Sequence, residues 1–502
     1  MTKHGAKGKS SAARGQRAAQ RKAVEVPHKE DDSSSVSSSS SNSDFSSEGA
    51  PGPMASGFVG FSKGASEPGR KRLFDDSDEE NDHSDSSPQQ KEVAEEFGSE
   101  ESTFTDEKID IGLKATRPAI RAMQEAQEEN MKELRHTEIY DPRVDEVTNI
   151  EGIRGRILRV VGVLADFKSR RHPDLSRMFY LELLKKDISV AYGYSDGVID
   201  ILLGLFGPID FHAFITACEK PRPLTIRVNS LKVKRRQLAQ MLIARGVNLD
   251  PLGDWCKDGL QIFSSQVPIG ATPEYLRGYY MIQDAASFLP PMALSPKPGE
   301  RILDMSAAPG GKTTHLGALM QDSGMILAND MNRDRIPALQ ANLARMGVTC
   351  AVISCSDARE LAQCTGNFDR VLLDAPCTGL GVVSKDASIK ANRTFEDIHK
   401  LSHLQKELLK CAFDLLAKHP SSPRLVCYST CSVTLSENEA VIDCILRTRN
   451  VEVVDLPFNF GKPGITRFNG VSYHPSIQKA RRFYPHIHNT HGFFICLLRL
   501  KV

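Results

Sequence analysis

The stretch that decides the fold is DMSAAPGGKTT, residues 304–314. It follows the apolar run RIL and ends in Gly-Gly-Lys-Thr, as a phosphate-binding P-loop does. A P-loop requires its first glycine at position 306, where this chain has Ser306, and Pro309 has no backbone N–H to offer a phosphate. The stretch therefore predicts a tight turn from a strand into a helix. It disfavours a P-loop NTPase, although RVLLD (370–374) could serve as a Walker-B strand.

From about residue 296 onward, short β-rich runs alternate with helical stretches. The runs are RILDM, MILAND, CAVISC, RVLLDAP and RLVCYST. This alternation predicts an α/β fold with a parallel, doubly wound, Rossmann-like sheet. In such sheets, ligands bind beyond the carboxyl ends of the strands. The polar residues expected at that edge are Asp304, Asp330, Asp357, Asp374 and Cys431.

The position of Asp330 indicates which ligand the edge binds. Asp330 closes the second run, 20 residues after Gly310. This spacing suits an acid that hydrogen-bonds the ribose hydroxyls of a nucleoside cofactor. Asp357 would then meet the adenine or the amino-acid end. A cofactor with ribose and adenine but no phosphate is S-adenosylmethionine, which the sequence therefore predicts. A glycine turn that binds no ligand is the alternative.

Two cysteines are expected at the same edge, Cys377 in DAPCTGLG and Cys431 in YSTCS. Methylation of carbon 5 of a pyrimidine needs a thiol, because a thiolate that adds to carbon 6 makes carbon 5 nucleophilic. Lys312 could add positive charge or merely anchor its loop, and Asp374 could contact the base edge or the cofactor's amino group. Either cysteine could instead be a small buried hydrophobe. Spacing does not rank the two thiols.

At these residues the chain resembles a known family. DMSAAPGGKTT, LLDAPCTGLGVVSKD, HLQKELL and YSTCSVTLSENEAVID resemble motifs of the Nop/Sun family of RNA (cytosine-5)-methyltransferases, over roughly residues 110–500. GLQIFSSQVPIGATPEYLRGYYMIQDAASFLP and HPSIQKARRFYPH resemble the family's nucleolar large-subunit-rRNA member. The resemblance implies that Cys431 is the nucleophile and that Cys377 assists product release. It implies S-adenosylmethionine binding by Ser306, Ala307, Ala308, Pro309, Gly310, Gly311, Lys312, Asp330, Asp357 and Asp374.

Small departures from the family pattern lie away from both sulfurs. Ser306 stands where Cys or Ala is common, and Thr378 and Leu380 replace a frequent Ser and Thr. We expect activity to survive these changes.

The 502 residues divide into four predicted segments. They are a disordered tail, basic and then acidic and Ser-rich (1–110), a mainly helical domain (111–222), a small α/β RNA-binding module (223–295) and a catalytic methyltransferase domain (296–502). The tail indicates nuclear targeting or RNA contact, or only solubility. Within the module, the cations Arg227, Lys232, Lys234, Arg235 and Arg236 predict a basic face or a solvated charged surface.

Three local patterns complete the predictions. The cations and aromatics Arg481, Arg482, Phe483, Tyr484 and His486 are typical of an RNA-binding surface or of a buried aromatic strand. Ser436 and Glu439 predict a capping box. The 11 cysteines include no CxxC pair, so no metal site is expected, and no apolar run approaches a membrane span.

Together these features predict an rRNA (cytosine-5)-methyltransferase that acts on large-subunit rRNA through a covalent cysteine–cytosine adduct. By the resemblance, its partners would be pre-ribosomal particles, where it would act as a monomeric enzyme, and its location the nucleus and nucleolus. It would contribute to ribosome biogenesis. The alternative is a ribosome-assembly scaffold that keeps the fold and works by binding.

Overall fold

The computed structural model describes residues 139–145, 147, 149–361, 366–416 and 421–501. The predicted tail (1–110) and residues 111–138 of the predicted helical domain lie outside the described residues. The helices are α1 (Ile150–Ala165), α2 (Phe167–Arg170), α3 (Arg177–Tyr192), α4 (Asp196–Cys218), α5 (Arg235–Ile243), α6 (Pro273–Leu276), α7 (Leu289–Leu294), α8 (Gly311–Leu319), α9 (Ile336–Met346), α10 (Ser388–Asn392), α11 (Phe395–Asp414), α12 (Glu439–Thr448) and α13 (Pro485–His488).

The strands form three sheets. They are β1 (Leu224–Val228), β2 (Val247–Pro251), β3 (Gly259–Ser265), β4 (Tyr280–Ile282), β5 (Arg301–Asp304), β6 (Met325–Asn329), β7 (Ala351–Ser354), β8 (Arg370–Asp374), β9 (Leu425–Thr430), β10 (Val451–Val454), β11 (Lys462–Pro463), β12 (Arg467–Phe468), β13 (Val471–Ser472), β14 (Arg481–Phe483) and β15 (Phe493–Leu500).

The helices α1, α3 and α4 pack around one apolar core. The side chain of Asn149 accepts the Gly152 N–H at 2.7 Å and so caps α1. Arg156 joins α1 to the buried Asp187 of α3 at 2.7 Å. The same core contains Leu380 and residues of the loop after β9. The helices therefore support the loops that carry the two cysteines.

The helix α4 has the length and composition of a membrane span. The expectation that no apolar run approaches the length of a membrane span is therefore wrong by length and composition. In this fold Val198, Leu202, Phe211 and Ile215 of α4 are buried in the helical core. The helix is also kinked at Gly207, where φ is +72°. A buried core helix passes the same test of length and composition.

The small module is an antiparallel sheet in the order β2-β3-β1-β4, whose core includes residues of α5. The prediction that Arg227 lies on a basic face is wrong, because its side chain is only 1% exposed and points to the catalytic domain. Lys232 and Lys234 are exposed, and the ammonium of Lys232 donates to the carbonyls of Arg277 and Arg345 at 2.9 and 2.8 Å. The module is therefore joined firmly to α9.

The large sheet has the order β11-β14-β15-β9-β8-β5-β6-β7, and β10 also pairs with β15. The strands β7, β6, β5, β8 and β9 are parallel, as predicted. From β5 the chain moves outward to β6 and β7 and then returns to β8 on the other side. This reversal makes the carboxyl ends of β5 and β8 the place where a ligand binds in such sheets.

Apolar layers cover both faces of the large sheet. Ile302 and Leu303 are neighbours in β5 but lie in different core clusters, since successive strand residues point to opposite faces. One layer includes residues of α11 and α12, and the other includes residues of α7 and α8. Such double burial explains why the parallel strands read as nearly continuous apolar runs.

The C-terminal strands add an antiparallel part to the predicted parallel sheet. The strand β15 runs antiparallel to β9, and β14 runs antiparallel to β15. The RNA-binding interpretation of this segment is wrong for three side chains: Arg482, Phe483 and Tyr484 are 1%, 0% and 7% exposed. His486 packs within 6 Å of the ring of Phe206. The segment is a buried aromatic strand, and its second arginine is buried as well.

Candidate active site

The loop after β5 uses its backbone N–H groups internally. The N–H of Ala307 donates to the carbonyl of the last β6 residue at 2.8 Å, and the N–H of Ala308 donates to Asp330 at 3.0 Å. The N–H of Gly310 donates to the Ala307 carbonyl at 2.7 Å, and Pro309 has none. A phosphate cradle needs several free N–H donors. The loop therefore does not have the chemistry of a P-loop.

Glycine is required where the loop enters α8. Gly310 has φ +100°, and a Cβ there would lie 3.0 Å from the side chain of Leu339. Beyond it, Arg227 of the small module donates to the Gly311 carbonyl and, at 2.7 Å, to the Thr314 hydroxyl. Burial lowers the pKa of Arg227 to about 9. The first turn of α8 is thus held by a strand of the other sheet.

Lys312 pairs with Asp374 across the switch point. Its ammonium lies 2.7 Å from Asp374 Oδ2, and the Ser429 hydroxyl donates to Asp374 Oδ1 at 2.7 Å. Burial would lower the pKa of Lys312, but the carboxylates of Asp374 and Asp304 raise it above its ordinary value. The Asp374 side chain remains 28% exposed. It is therefore open to a ligand while its charge is compensated.

Asp330 and Asp357, the other two acids predicted to bind the cofactor, form different hydrogen bonds. Asp330 is 4% exposed, and its carboxylate accepts the N–H groups of Ala308 and Asn332 at 3.0 Å each. Asp357 lies three residues beyond β7 rather than at its end. Hydrogen bonds from Arg359 hold the pKa of Asp357 below its ordinary value. Asp330 shapes the loop directly, whereas Asp357 lies further out beside an arginine.

The two cysteines meet as predicted. Cys377 follows β8, Cys431 follows β9, and their Sγ atoms lie 3.0 Å apart as free thiols. The hydrogen bond to Cys431 and burial hold the pKa of Cys377 well above its ordinary value. The two sulfurs therefore lie within hydrogen-bonding distance of each other at the edge of the sheet.

Close backbone packing holds the cysteine loops together. The N–H of Gly381 donates to the Cys431 carbonyl at 2.9 Å, and the N–H of Gly492 donates to the Gly381 carbonyl at 2.8 Å. A Cβ on Gly381 would lie 2.1 Å from the Gly492 oxygen. Only glycine fits at position 381, which explains the second glycine of DAPCTGLG.

Comparison with family models places this site in a known group. Residues 291–499 match the family model of the 16S rRNA methyltransferase RsmB/F, and residues 200–285 match that of the N-terminal domain of the 16S rRNA methyltransferase RsmF. A methyltransferase homologue from Pyrococcus horikoshii of known structure is 36% identical with a TM-score of 0.57. The match covers 63% of this chain and 99% of that one.

Two curated relatives define the relationship further. The 28S rRNA (cytosine-C(5))-methyltransferase of Mus musculus is 50% identical over 347 residues, which are 69% of this chain and 44% of that protein. The tRNA (cytosine(49)-C(5))-methyltransferase of Pyrococcus abyssi is 36% identical over 293 residues, 58% of this chain and 92% of that protein. This chain belongs to the Nop/Sun family. It spans less than half the length of the mouse relative.

S-adenosylmethionine is the cofactor of the Nop/Sun family, and the donor set of this site fits it. The cofactor carries a cationic sulfonium and an ammonium group, and its ribose hydroxyls donate hydrogen bonds. The site offers the carboxylates of Asp330, Asp357 and Asp374, which attract cations and accept from hydroxyls. Among the described residues, no cluster of His, Cys, Asp and Glu could hold a metal ion.

Sequence reasoning assigned the wrong role to the segment after Cys431. The predicted capping box between Ser436 and Glu439 is wrong: Asn438 is the N-cap of α12, and no side chain caps it. Glu439 instead pairs with Arg482 at 2.6 Å. Reasoning from sequence also missed Glu437, which contacts both cysteine loops. The Ser-Glu-Asn-Glu pattern was the available signal, and it was attributed to helix capping.

Asp304 is a buried carboxyl beneath the loop. It accepts a hydrogen bond from the Thr313 hydroxyl at 2.8 Å, and its Oδ1 has no partner among the described residues. Burial raises the pKa of Asp304 to about 7. Because the folded-state pKa exceeds the unfolded one, the free energy of unfolding falls as pH rises from about 4 to about 7.

We expect Asp304→Asn to remove the decrease in the free energy of unfolding with rising pH, which between pH 5 and pH 8 is on the order of 3 kcal/mol. The reason is that asparagine stays neutral and keeps an acceptor for the Thr313 hydroxyl. Urea unfolding at pH 5 and pH 8 measures it. The exposed Asp174→Asn serves as control and should keep the wild-type pH dependence. Equal pH dependence in wild type and Asp304→Asn would show that Asp304 does not titrate in this range.

Proposed function

We propose that this protein is an S-adenosylmethionine-dependent methyltransferase that modifies carbon 5 of cytosine in large-subunit rRNA. The observation that carries the proposal is the pair of free thiols, Cys377 and Cys431, 3.0 Å apart at the ligand edge of the sheet. The Lys312–Asp374 pair lies at the same edge. Methylation of an amine or a hydroxyl needs no thiol there, whereas carbon 5 of a pyrimidine needs covalent activation.

In this reaction Cys431 is the nucleophile. Its thiolate forms a bond to carbon 6 of cytosine, which shifts the electron pair of the carbon 5–carbon 6 double bond onto carbon 5, and carbon 5 then attacks a methyl group. S-adenosylmethionine, when bound, would supply that methyl group through cleavage of its sulfur–methyl bond and would leave as S-adenosylhomocysteine. Loss of the carbon-5 proton restores the double bond and expels the thiolate. The hydrogen bond to Cys431 and burial hold the pKa of Cys377 above its ordinary value, which supports its role in product release rather than in attack.

The cofactor would be held by residues 306–312 together with three carboxylates. Asp330 already fixes the loop through the N–H of Ala308, and its remaining lone pairs suit the ribose hydroxyls. Asp357 would lie toward the adenine or the amino-acid end. Asp374, 28% exposed, is open to the cofactor's ammonium group or to the base edge.

The name of the mouse relative supports large-subunit rRNA as the substrate. We extend this to action on pre-ribosomal particles in the nucleus and nucleolus, with a role in ribosome biogenesis. The target cytosine must leave its stack to meet Cys431, so a single-stranded or extruded base is expected.

The test is a covalent protein–RNA adduct in the Cys377→Ala variant. With large-subunit rRNA and S-adenosylmethionine, a slower band is expected on a denaturing gel, because attack continues while release is impaired. The double variant Cys377→Ala/Cys431→Ala is the matched control and should lose the band. An adduct that persists without Cys431 would overturn the assignment of the nucleophile. No adduct in any variant, with cofactor binding confirmed, would favour the assembly-scaffold alternative.

A further inference from the structure

Glu437 is fully buried between the two cysteine loops. Its Oε1 accepts from the Thr378 N–H at 2.8 Å and from the Gln405 side chain at 3.2 Å. Its Oε2 accepts from the hydroxyls of Thr378 at 2.7 Å, Thr434 at 2.9 Å and Ser432. All five donors are neutral. Since an ionised carboxyl is a pure acceptor, this is the environment of a buried carboxylate.

Glu437 bonds the residue that follows each of the two cysteines. Thr378 immediately follows Cys377, and Ser432 immediately follows Cys431. One carboxylate therefore holds both loops at the residue next to each sulfur. The backbone of Glu437 is itself fixed, because its carbonyl accepts the Tyr428 hydroxyl of β9 at 2.6 Å.

A neutral side chain would not serve equally well at this position. A glutamine has one acceptor oxygen, and if that oxygen accepts the Thr378 N–H, its NH₂ group faces the three hydroxyls, which would then have to accept instead of donate. The negative charge also acts on Cys377, whose pKa is raised by the hydrogen bond to Cys431, by burial and by Glu437. The titratable groups that face Cys377 are Cys431, Glu437 and Tyr428. Lys312 acts on the Cys431 side of the pair.

We propose that Glu437 is a positioning residue of the methyl-transfer site, which fixes the two cysteine loops relative to each other and places a carboxyl group beside Cys377. This inference rests on the proposed function. Glu437 acts through the cysteine loops and does not touch the substrate.

The first measurement is steady-state kinetics of Glu437→Gln. We expect kcat to fall by about 100-fold, as misplacement of reacting groups by about 1 Å does, while KM for RNA and for S-adenosylmethionine changes less than about threefold. Asp443→Asn is the matched control, because it alters another buried carboxyl group, on α12, that bonds the His474 N–H and Arg447 instead of the cysteine loops. A rise in KM with unchanged kcat in Glu437→Gln would overturn the proposal.

The second measurement does not depend on methyl transfer. In a Cys431→Ala background, alkylation of Cys377 is followed against pH by mass spectrometry of its peptide. Glu437→Gln should move the midpoint of Cys377 reactivity to lower pH by at least about half a unit, whereas Asp443→Asn should leave it in place. An unchanged midpoint in Glu437→Gln would show that Glu437 has a structural role only. If no variant forms an RNA adduct, the proposed function fails, but this titration still decides the role of Glu437.

Thr378→Val covers the case in which Glu437→Gln does not fold. It removes one hydroxyl donor, keeps the side-chain shape and leaves the N–H bond to Glu437. We expect kcat to fall by about tenfold with KM unchanged, since the tie between the loops is weakened rather than lost. Wild-type kcat in Thr378→Val would contradict the proposal.

Discussion

Replacing Cys431 with alanine is expected to lower the single-turnover rate of methyl transfer by on the order of 10⁴-fold or more, with cofactor binding retained. The thiolate is the only group in the proposed reaction that activates carbon 5, so the reaction has no alternative pathway when Cys431 is absent. Cys431→Ala removes the hydrogen bond to Cys377, but burial still holds the pKa of the Cys377 thiol above its ordinary value, so Cys377 does not replace the nucleophile. Transfer of a labelled methyl group to large-subunit rRNA measures the rate, and calorimetric titration measures cofactor affinity.

Cys444→Ala is the matched control for this prediction. Cys444 is a partly buried free thiol on α12, outside the candidate site, and its loss should leave the rate within about twofold. Retention of more than about 1% of the wild-type rate in Cys431→Ala would contradict its role as nucleophile. Equal losses in both variants would indicate that any cysteine substitution damages the fold.

The largest expected effect on stability is at the ion pair between Arg482 and Glu439. One guanidinium nitrogen of Arg482 lies 2.6 Å from each carboxylate oxygen, and the side chains are 1% and 0% exposed. Arg482 also donates to the Val433 carbonyl in the loop after Cys431. We expect Arg482→Met to lower the free energy of unfolding by about 3–5 kcal/mol, because it leaves an uncompensated buried carboxylate. Denaturant unfolding monitored by circular dichroism measures this value.

The double variant Arg482→Met/Glu439→Gln distinguishes two effects of Arg482→Met. One is the loss of the ion pair, and the other is a buried Glu439 carboxylate left without a partner. It should be more stable than Arg482→Met by at least about 1 kcal/mol, since no buried charge is left without a partner. Arg499→Met, which removes an exposed partner of Glu452 on the neighbouring strand, is the control and should cost less than about 1 kcal/mol. A double variant whose loss equals the sum of two single losses would show that the two residues act independently.

The sequence was sufficient to predict the catalytic half of the fold. The five runs that begin with RILDM became the parallel strands β5 to β9. The inner strands β5, β8 and β9 are buried on both faces and are therefore apolar along most of their length, whereas β7 lies at the edge and is partly exposed. The meeting of Cys377 and Cys431 followed from the same reasoning, since neighbouring parallel strands end at one edge. The assignment of nucleophile and release roles to these thiols stays a prediction, as do the cofactor contacts and the domain boundaries.

Other features could not be predicted because their partners are distant in the chain. Arg227 looked like part of a basic surface, yet its partners are Gly311 and Thr314, more than 80 residues away. Arg482 looked like an RNA contact, and its partner is Glu439, 43 residues earlier. A charged side chain is buried only when a folded partner compensates it, and local sequence does not show that partner.

The amino-acid sequence by itself determined the parallel sheet, the glycine loop and the edge where the acids and thiols meet, because these depend on local periodicity and on the geometry of strand ends. Only the tertiary structure decided which charges are buried, which backbone N–H groups remain free, and that Glu437 joins both cysteine loops. Those outcomes depend on contacts between segments far apart in the chain. Such contacts form, and contribute to stability, only in the folded protein.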